Sequence, residues 1–111
     1  MSRYLLIESR DPFENRESEN FLELVGTLAE SGDQVILFLI QNGVLALRKS
    51  SLFTGKIKAL LKQNVQIRAD GFSLDERAIQ ERERLDQVIL SNLDEILDIL
   101  MEPGTKTIWH S

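Results

Sequence analysis

Apolar residues follow two rhythms along this chain. Tyr4-Leu-Leu-Ile7 and Val35-Ile-Leu-Phe-Leu-Ile40 are short unbroken runs, the pattern of strands buried on both faces. From about Glu17, Phe21, Leu24, Val25 and Leu28 recur at i, i+3, i+4 and i+7, the stripe of an amphipathic helix. Acids crowd its first turn and Ser31-Gly32 ends it, while Asp11-Pro12 marks a loop before it. Gln41-Asn42-Gly43 reads as a turn leading into a short helix over Val44–Lys49. A further helix runs through Lys56–Lys62, with Ile57, Leu60 and Leu61 on one side. Val65–Ala69 alternates apolar and polar residues, which predicts a third strand with one polar face.

The second half is more highly charged. Asp70-Gly71-Phe72-Ser73 reads as a loop, and Leu74–Arg84 as a helix with sparse apolar contacts at Leu74, Ala78, Ile79 and Leu85. Arg77/Glu81 and Arg82/Asp86 would be its i, i+4 pairs. Gln87–Leu90 is a fourth strand. Asn92 is a good N-cap with Glu95 at capping-box spacing, ahead of a stripe of Leu93, Ile96, Leu97, Leu100 and Met101. Pro103-Gly104 stops that helix and Lys106–Trp109 makes a fifth strand. Strands alternating with helices predict one domain over residues 1–111. It is expected to be a three-layer α/β/α sandwich on a mostly parallel five-stranded sheet, with right-handed crossovers. Ligands of such folds bind beyond the carboxyl ends of the strands, here Glu8–Asp11, Gln41–Gly43, Asp70–Ser73 and Ser91-Asn92.

Composition removes several chemistries. There is no cysteine, hence no disulfide, thiolate metal site or thiol nucleophile, and the one histidine, His110, stands next to last. The longest apolar run has six residues, against the roughly 20 of a membrane span, and the first residues read directly into a strand without a signal peptide. Neither a metal nor a cofactor is expected, and no phosphate-binding glycine motif supports a nucleotide. The net charge is −5, yet Gln34–Ala69 holds no acid and six bases: Arg48, Lys49, Lys56, Lys58, Lys62 and Arg68. That leaves −11 on the rest of the chain. A basic middle in an acidic whole suits an acidic partner, a subunit contact or a solvated face. It is too dispersed and too poor in aromatics for nucleic acid.

Three pieces carry a resemblance to a known family. They are the strand followed by Asn42-Gly43-Val44, the segment Asp70-Gly-Phe-Ser-Leu-Asp-Glu-Arg-Ala-Ile79, and the tail Val88–Leu100 with its terminal strand. Their order resembles the DsrE/DsrF/DsrH-like (Tus-type) family of small sulfur-relay proteins. The first is similar to that family's Asp-Gly-Val turn. The second is similar to its segment in which a loop cysteine stands seven residues before Arg-Gly-Ile/Val. Seven residues before Arg77 lies Asp70, and Ala78 replaces the glycine. A carboxylate cannot accept and pass on sulfane sulfur as a thiolate does. The resemblance therefore implies the fold, a cytoplasmic setting and assembly into trimers or hexamers, without the catalytic step.

The expected role is a non-catalytic interaction or scaffold subunit that binds itself, a cysteine-bearing relative or a sulfur carrier. The balance is against an enzyme. The candidate pocket comprises Glu8, Asp11, Asn42, Gly43, Asp70, Gly71, Ser73 and Arg77, with Asp70 beside the Asn42-Gly43 loop. A second reading is a small-molecule or anion-binding protein, or a weak hydrolase pairing Asp70 with Glu8 or Asp11. A third is a receiver-like phosphoacceptor on Asp70 with Ser91, which Lys106 at the start of its strand argues against. Simpler structural roles stand beside these. Asp70 suits a turn that starts a helix, and Asn42-Gly43 suits a left-handed turn. Trp109 suits a core or interface anchor, and a penultimate histidine is usually solvated.

Overall fold

The computed structural model describes residues 2–14 and 16–110. Five parallel strands, β1 (Arg3–Glu8), β2 (Gln34–Leu39), β3 (Gln66–Asp70), β4 (Ile89–Ser91) and β5 (Thr105–His110), form one sheet in the order β4-β3-β2-β1-β5. The strands predicted from apolar runs are the central ones. β1 and β2 bury Leu5, Leu6, Leu37 and Phe38 completely, so side chains on both faces leave water. Register places Glu8 beside Leu39 on one side and His110 on the other, and Asp70 beside Ser91.

The two faces are covered unequally. One carries α1 (Arg16–Glu30), α2 (Thr54–Lys62), α3 (Gly71–Glu76) and a 3₁₀ segment at Gln41–Leu47. They bury Phe21, Val25, Val44, Leu47, Ile57 and Leu74 against Leu6, Leu37 and Ile67. Among the described residues the other carries only α4 (Leu93–Met101), whose Ile96 and Ile99 seal Leu5, Ile7, Ile36 and Phe38. Asn92 caps α4, its side chain accepting the Glu95 N–H as expected. The Glu95 carboxylate turns to Arg68.

Four expectations on the local elements are corrected. Gln41-Asn42-Gly43 is no separate turn but the first part of the 3₁₀ segment that ends at Leu47. Asp70–Ser73 is no loop, since Asp70 closes β3 and caps α3 directly. The charged helix over Leu74–Arg84 is absent. It stops at Glu76, where Ala78 takes φ 54° and the Ile79 and Ala78 N–H groups bond back to Leu74 and Asp75, the geometry of a Schellman stop. Ile79 and Leu85 are buried individually instead, so the proposed Arg77/Glu81 and Arg82/Asp86 helix pairs do not form. Finally, the stripe on α4 faces outward for the most part: Leu93, Leu97, Leu100 and Met101 are 40–79% exposed.

Candidate functional site

The carboxyl ends of the strands carry two separate polar clusters. The first is built on Asp70. Its Oδ2 accepts the Ser73 N–H (3.0 Å) and the Ser73 hydroxyl (2.6 Å), which satisfies one free donor of the first turn of α3. The Ser73 Oγ in turn accepts the backbone N–H of Gln41 (2.8 Å), tying the end of β2 to the start of α3. Asp70 and Ser73 are both buried. Beyond them, Arg77 donates through Nε and Nη2 to Asn42 Oδ1 (3.1 and 2.9 Å) and through Nη1 to the Ser73 carbonyl (3.2 Å). Asp70, Ser73, Asn42 and Arg77 therefore do converge. Gln41 joins them through its backbone, which no side-chain pattern announces.

The remaining candidates lie elsewhere. Asp11 forms its own turn, its carboxylate accepting the Phe13 N–H (3.0 Å). Gly71 lies under Leu90, which a β-carbon there would touch at 3.3 Å. Gly43 faces the Glu8 backbone and has no positive φ, so its glycine answers close packing and not the left-handed turn expected for Asn42-Gly43. Glu8 does not meet Asp70. It forms the second cluster, where its oxygens lie 2.7 and 3.0 Å from His110 Nδ1, and its Oε1 also accepts the Arg10 N–H (2.8 Å). A carboxylate only accepts, so Nδ1 carries the proton. His110 stacks on Phe21 and its Nε2 faces Glu17 at 3.6 Å. The expectation of a solvated histidine is thus corrected: strand pairing brings the chain's last described residue against Glu8 and leaves its side chain 14% exposed. Trp109, by contrast, is 62% exposed and no core anchor.

The chemistry of the first cluster is that of a structural lock. The Ser73 oxygen is buried and already accepts the Gln41 N–H while its proton is held by Asp70, so the pair serves to join backbone segments. Lys106 sits over the Tyr4 ring (5.5 Å), at the end of the sheet opposite Asp70. It does not serve a phosphoacceptor there. Ser73→Ala is expected to destabilise the fold by about 1–3 kcal/mol, because the Gln41 N–H loses its acceptor and Asp70 a donor. A urea midpoint unchanged from the parent chain would show that the lock contributes nothing to stability.

A cleft of about 460 Å³ opens beside this lock, lined by Ile40, Gln41, Phe72 and Leu93 and by the carboxylates of Asp70, Glu76 and Asp94. A second groove, about 690 Å³, lies around α2 and is ringed by Lys49, Lys58 and Lys62 with Leu61, Leu85 and Asp86. Those three lysines form no ion pair among the described residues. Lys56 and Arg68 of the same basic stretch are engaged, with Glu19 and Glu95. The hydrogen bond and charge of Lys56 hold the Glu19 carboxyl below its ordinary range. Among the described residues no helix is long and apolar enough to cross a membrane.

Comparison with known proteins extends over nearly the same residues. The model of the DsrE/DsrF-like family matches residues 2–109. The chain is similar to the YchN protein of E. coli in its crystal structure, with a TM-score of 0.83 at 20% identity over 97% of this chain and 100% of that one. It is also similar to a protein of unknown function, MTH1491, from Methanobacterium thermoautotrophicum, with a TM-score of 0.78 at 19% identity over 99% of this chain and 100% of that one. No curated protein sequence matches it.

Proposed function

Because this chain belongs to the DsrE/DsrF-like family, we propose that it acts as a non-catalytic, oligomeric interaction subunit in a sulfur relay or related cytoplasmic sulfur metabolism. One observation carries the reading. The chain has no cysteine, and the Asp70 carboxylate at the position argued from the family's motif is spent on holding α3 and β2 together. Nothing at that position can hold a persulfide, whereas a fold kept intact around it can still present a surface. The groove of Lys49, Lys58 and Lys62 supplies such a surface, and its free ammonium groups suit an acidic face of a cysteine-bearing relative or a sulfur carrier.

The test is a tagged pull-down from native cytoplasm at two salt concentrations, read by quantitative mass spectrometry. Stoichiometric recovery of a cysteine-bearing family member or sulfur carrier is expected, with loss at the higher salt. Recovery of the chain alone at both concentrations overturns the reading. A second reading, small-molecule binding at the Asp70 cleft, is favoured by the cleft itself. Its polar wall holds three carboxylates and no base, so it would take an amine or another cation and not the anion considered above.

A further inference from the structure

Among the described residues one antiparallel bridge stands outside the parallel sheet, and it pairs Arg48 with Arg84. Its two hydrogen bonds run from the Lys49 N–H to the Glu83 carbonyl (2.8 Å) and from the Leu85 N–H to the Leu47 carbonyl (2.9 Å). They flank the arginines, which therefore occupy a non-hydrogen-bonded position. There facing residues approach most closely and send their side chains to the same side. Leu47 and Leu85, the next facing pair, are buried in the core. Alternation thus turns both arginines to the outer side of this short ribbon.

Two like charges so placed repel, and the fold offers them no counterion. Arg3, Arg68 and Arg77 each meet a carboxylate, whereas the guanidinium groups of Arg48 and Arg84 form neither an ion pair nor a hydrogen bond among the described residues. Both residues are partly buried, and Arg48 Nε is closed off from water without an acceptor. A buried N–H left unsatisfied is costly, and more so on a charged group. The acids nearest in sequence do not answer it. Glu83 turns its Oε1 to the Gln80 N–H (3.4 Å), and Glu81 and Asp86 line a cleft with Lys49 instead. Neither arginine lines the groove of Lys49, Lys58 and Lys62, so the two basic features are distinct.

We propose that Arg48 and Arg84 together form an anion site whose ligand is a tetrahedral dianion of the phosphate or sulfate class. Charge sets the stoichiometry, since two fixed positive charges call for two negative ones on one small group. Shape sets the class. Each guanidinium is a planar fork of donors, and a tetrahedral oxyanion can offer a separate pair of oxygens to each fork. A single carboxylate fills only one. The ion gives Arg48 Nε its missing acceptor and turns the mutual repulsion into attraction to a shared centre. The ribbon also joins the end of the 3₁₀ segment to the stretch that leads into β4, so binding there is read as stability of the fold. The site goes beyond the interaction role proposed above and does not depend on it.

The test melts the purified chain in phosphate, at mildly alkaline pH where it is the dianion, in sulfate, and in chloride at matched ionic strength. Both dianions at millimolar concentration are expected to raise Tm by several degrees above the chloride control. They should also shift the Arg48 and Arg84 Nε–H signals in proton–nitrogen correlation spectra. Arg48→Gln and Arg84→Gln should each weaken binding by about tenfold or more, while Lys58→Gln leaves it unchanged. Without dianion each arginine variant should melt no lower than the parent, because the repulsion is gone. A phosphomonoester such as glycerol 2-phosphate forms a further arm. Tighter binding than inorganic phosphate assigns the site to a phosphorylated small molecule, and equal binding assigns it to the free ion. A rise in Tm that survives in Arg84→Gln is a general salt effect and overturns the proposal. So do Nε–H signals that stay fixed in phosphate, or a glutamate-rich peptide that binds where neither dianion does. If the arginine variants fail to fold, the spectra of the parent chain decide. No arm needs a relay partner, so failure here is separate from failure of the pull-down.

Discussion

Gly43→Ala is expected to cost about 3 kcal/mol or more of stability, with a fall in Tm on the order of 10–20 °C. Gly43 lies in the 3₁₀ segment where it crosses the end of β1. A β-carbon built on it falls far inside contact distance of the Glu8 carbonyl oxygen and 3.0 Å from the carbonyl carbon. The obstacle is backbone, which cannot rotate away as a side chain would. That same carbonyl accepts the Ile40 N–H, and the Gly43 N–H bonds to the Ile40 carbonyl, so the end of β2 is held between the two. Relief must come by lifting the 3₁₀ segment, which draws Val44, Ala46 and Leu47 out of the core. Gly55→Ala is the matched control. Gly55 lies in α2 with nothing within 4 Å of an added β-carbon, and that change should gain about 0.5–1 kcal/mol. Urea melts of the two variants measure both effects, and a Gly43→Ala chain as stable as its parent would contradict the packing argument.

The glycine also shows what sequence can and cannot reveal. Asn42-Gly43 was a sound sign of unusual backbone, but the positive φ falls on Gln41, and Gly43 is needed for proximity to a strand far away in sequence. Signals confined to neighbouring residues were readable: the buried runs of β1 and β2, the stripe of α1, and the Asn92 cap. The segment after α3 misled because Leu74, Ala78, Ile79 and Leu85 meet helical spacing only loosely. The stop is set by backbone at Ala78, where no glycine announces it. The α4 stripe misled differently. Periodicity found an apolar surface without telling which part of it the sheet would cover, and one helix over a five-stranded sheet covers little. Of the candidate site, Asp70 and Ser73 were legible as turn chemistry. Their link to Gln41 depends on a parallel pairing that sequence does not display.

The same limit hid Glu8 and His110, and their pair should carry the other large effect. His110→Ala is expected to destabilise the chain by about 3–5 kcal/mol, because it leaves the Glu8 carboxylate 2% exposed with the Arg10 N–H as its remaining donor. The loss of the ring also uncovers Phe21, which stacks on it at 5.3 Å. Replacing both members, as Glu8→Leu with His110→Leu, should recover more than half of that loss, since no charge is then stranded and the volume is kept. Comparison of the urea midpoints of the single and double variants measures the coupling. Equal losses in both would assign the effect to packing on Phe21 and not to the charge. Glu8 and His110 are register partners at the carboxyl ends of β1 and β5, and the Ser9 hydroxyl donates to the His110 carbonyl beside them. These contacts clamp β5 at the end nearest Trp109.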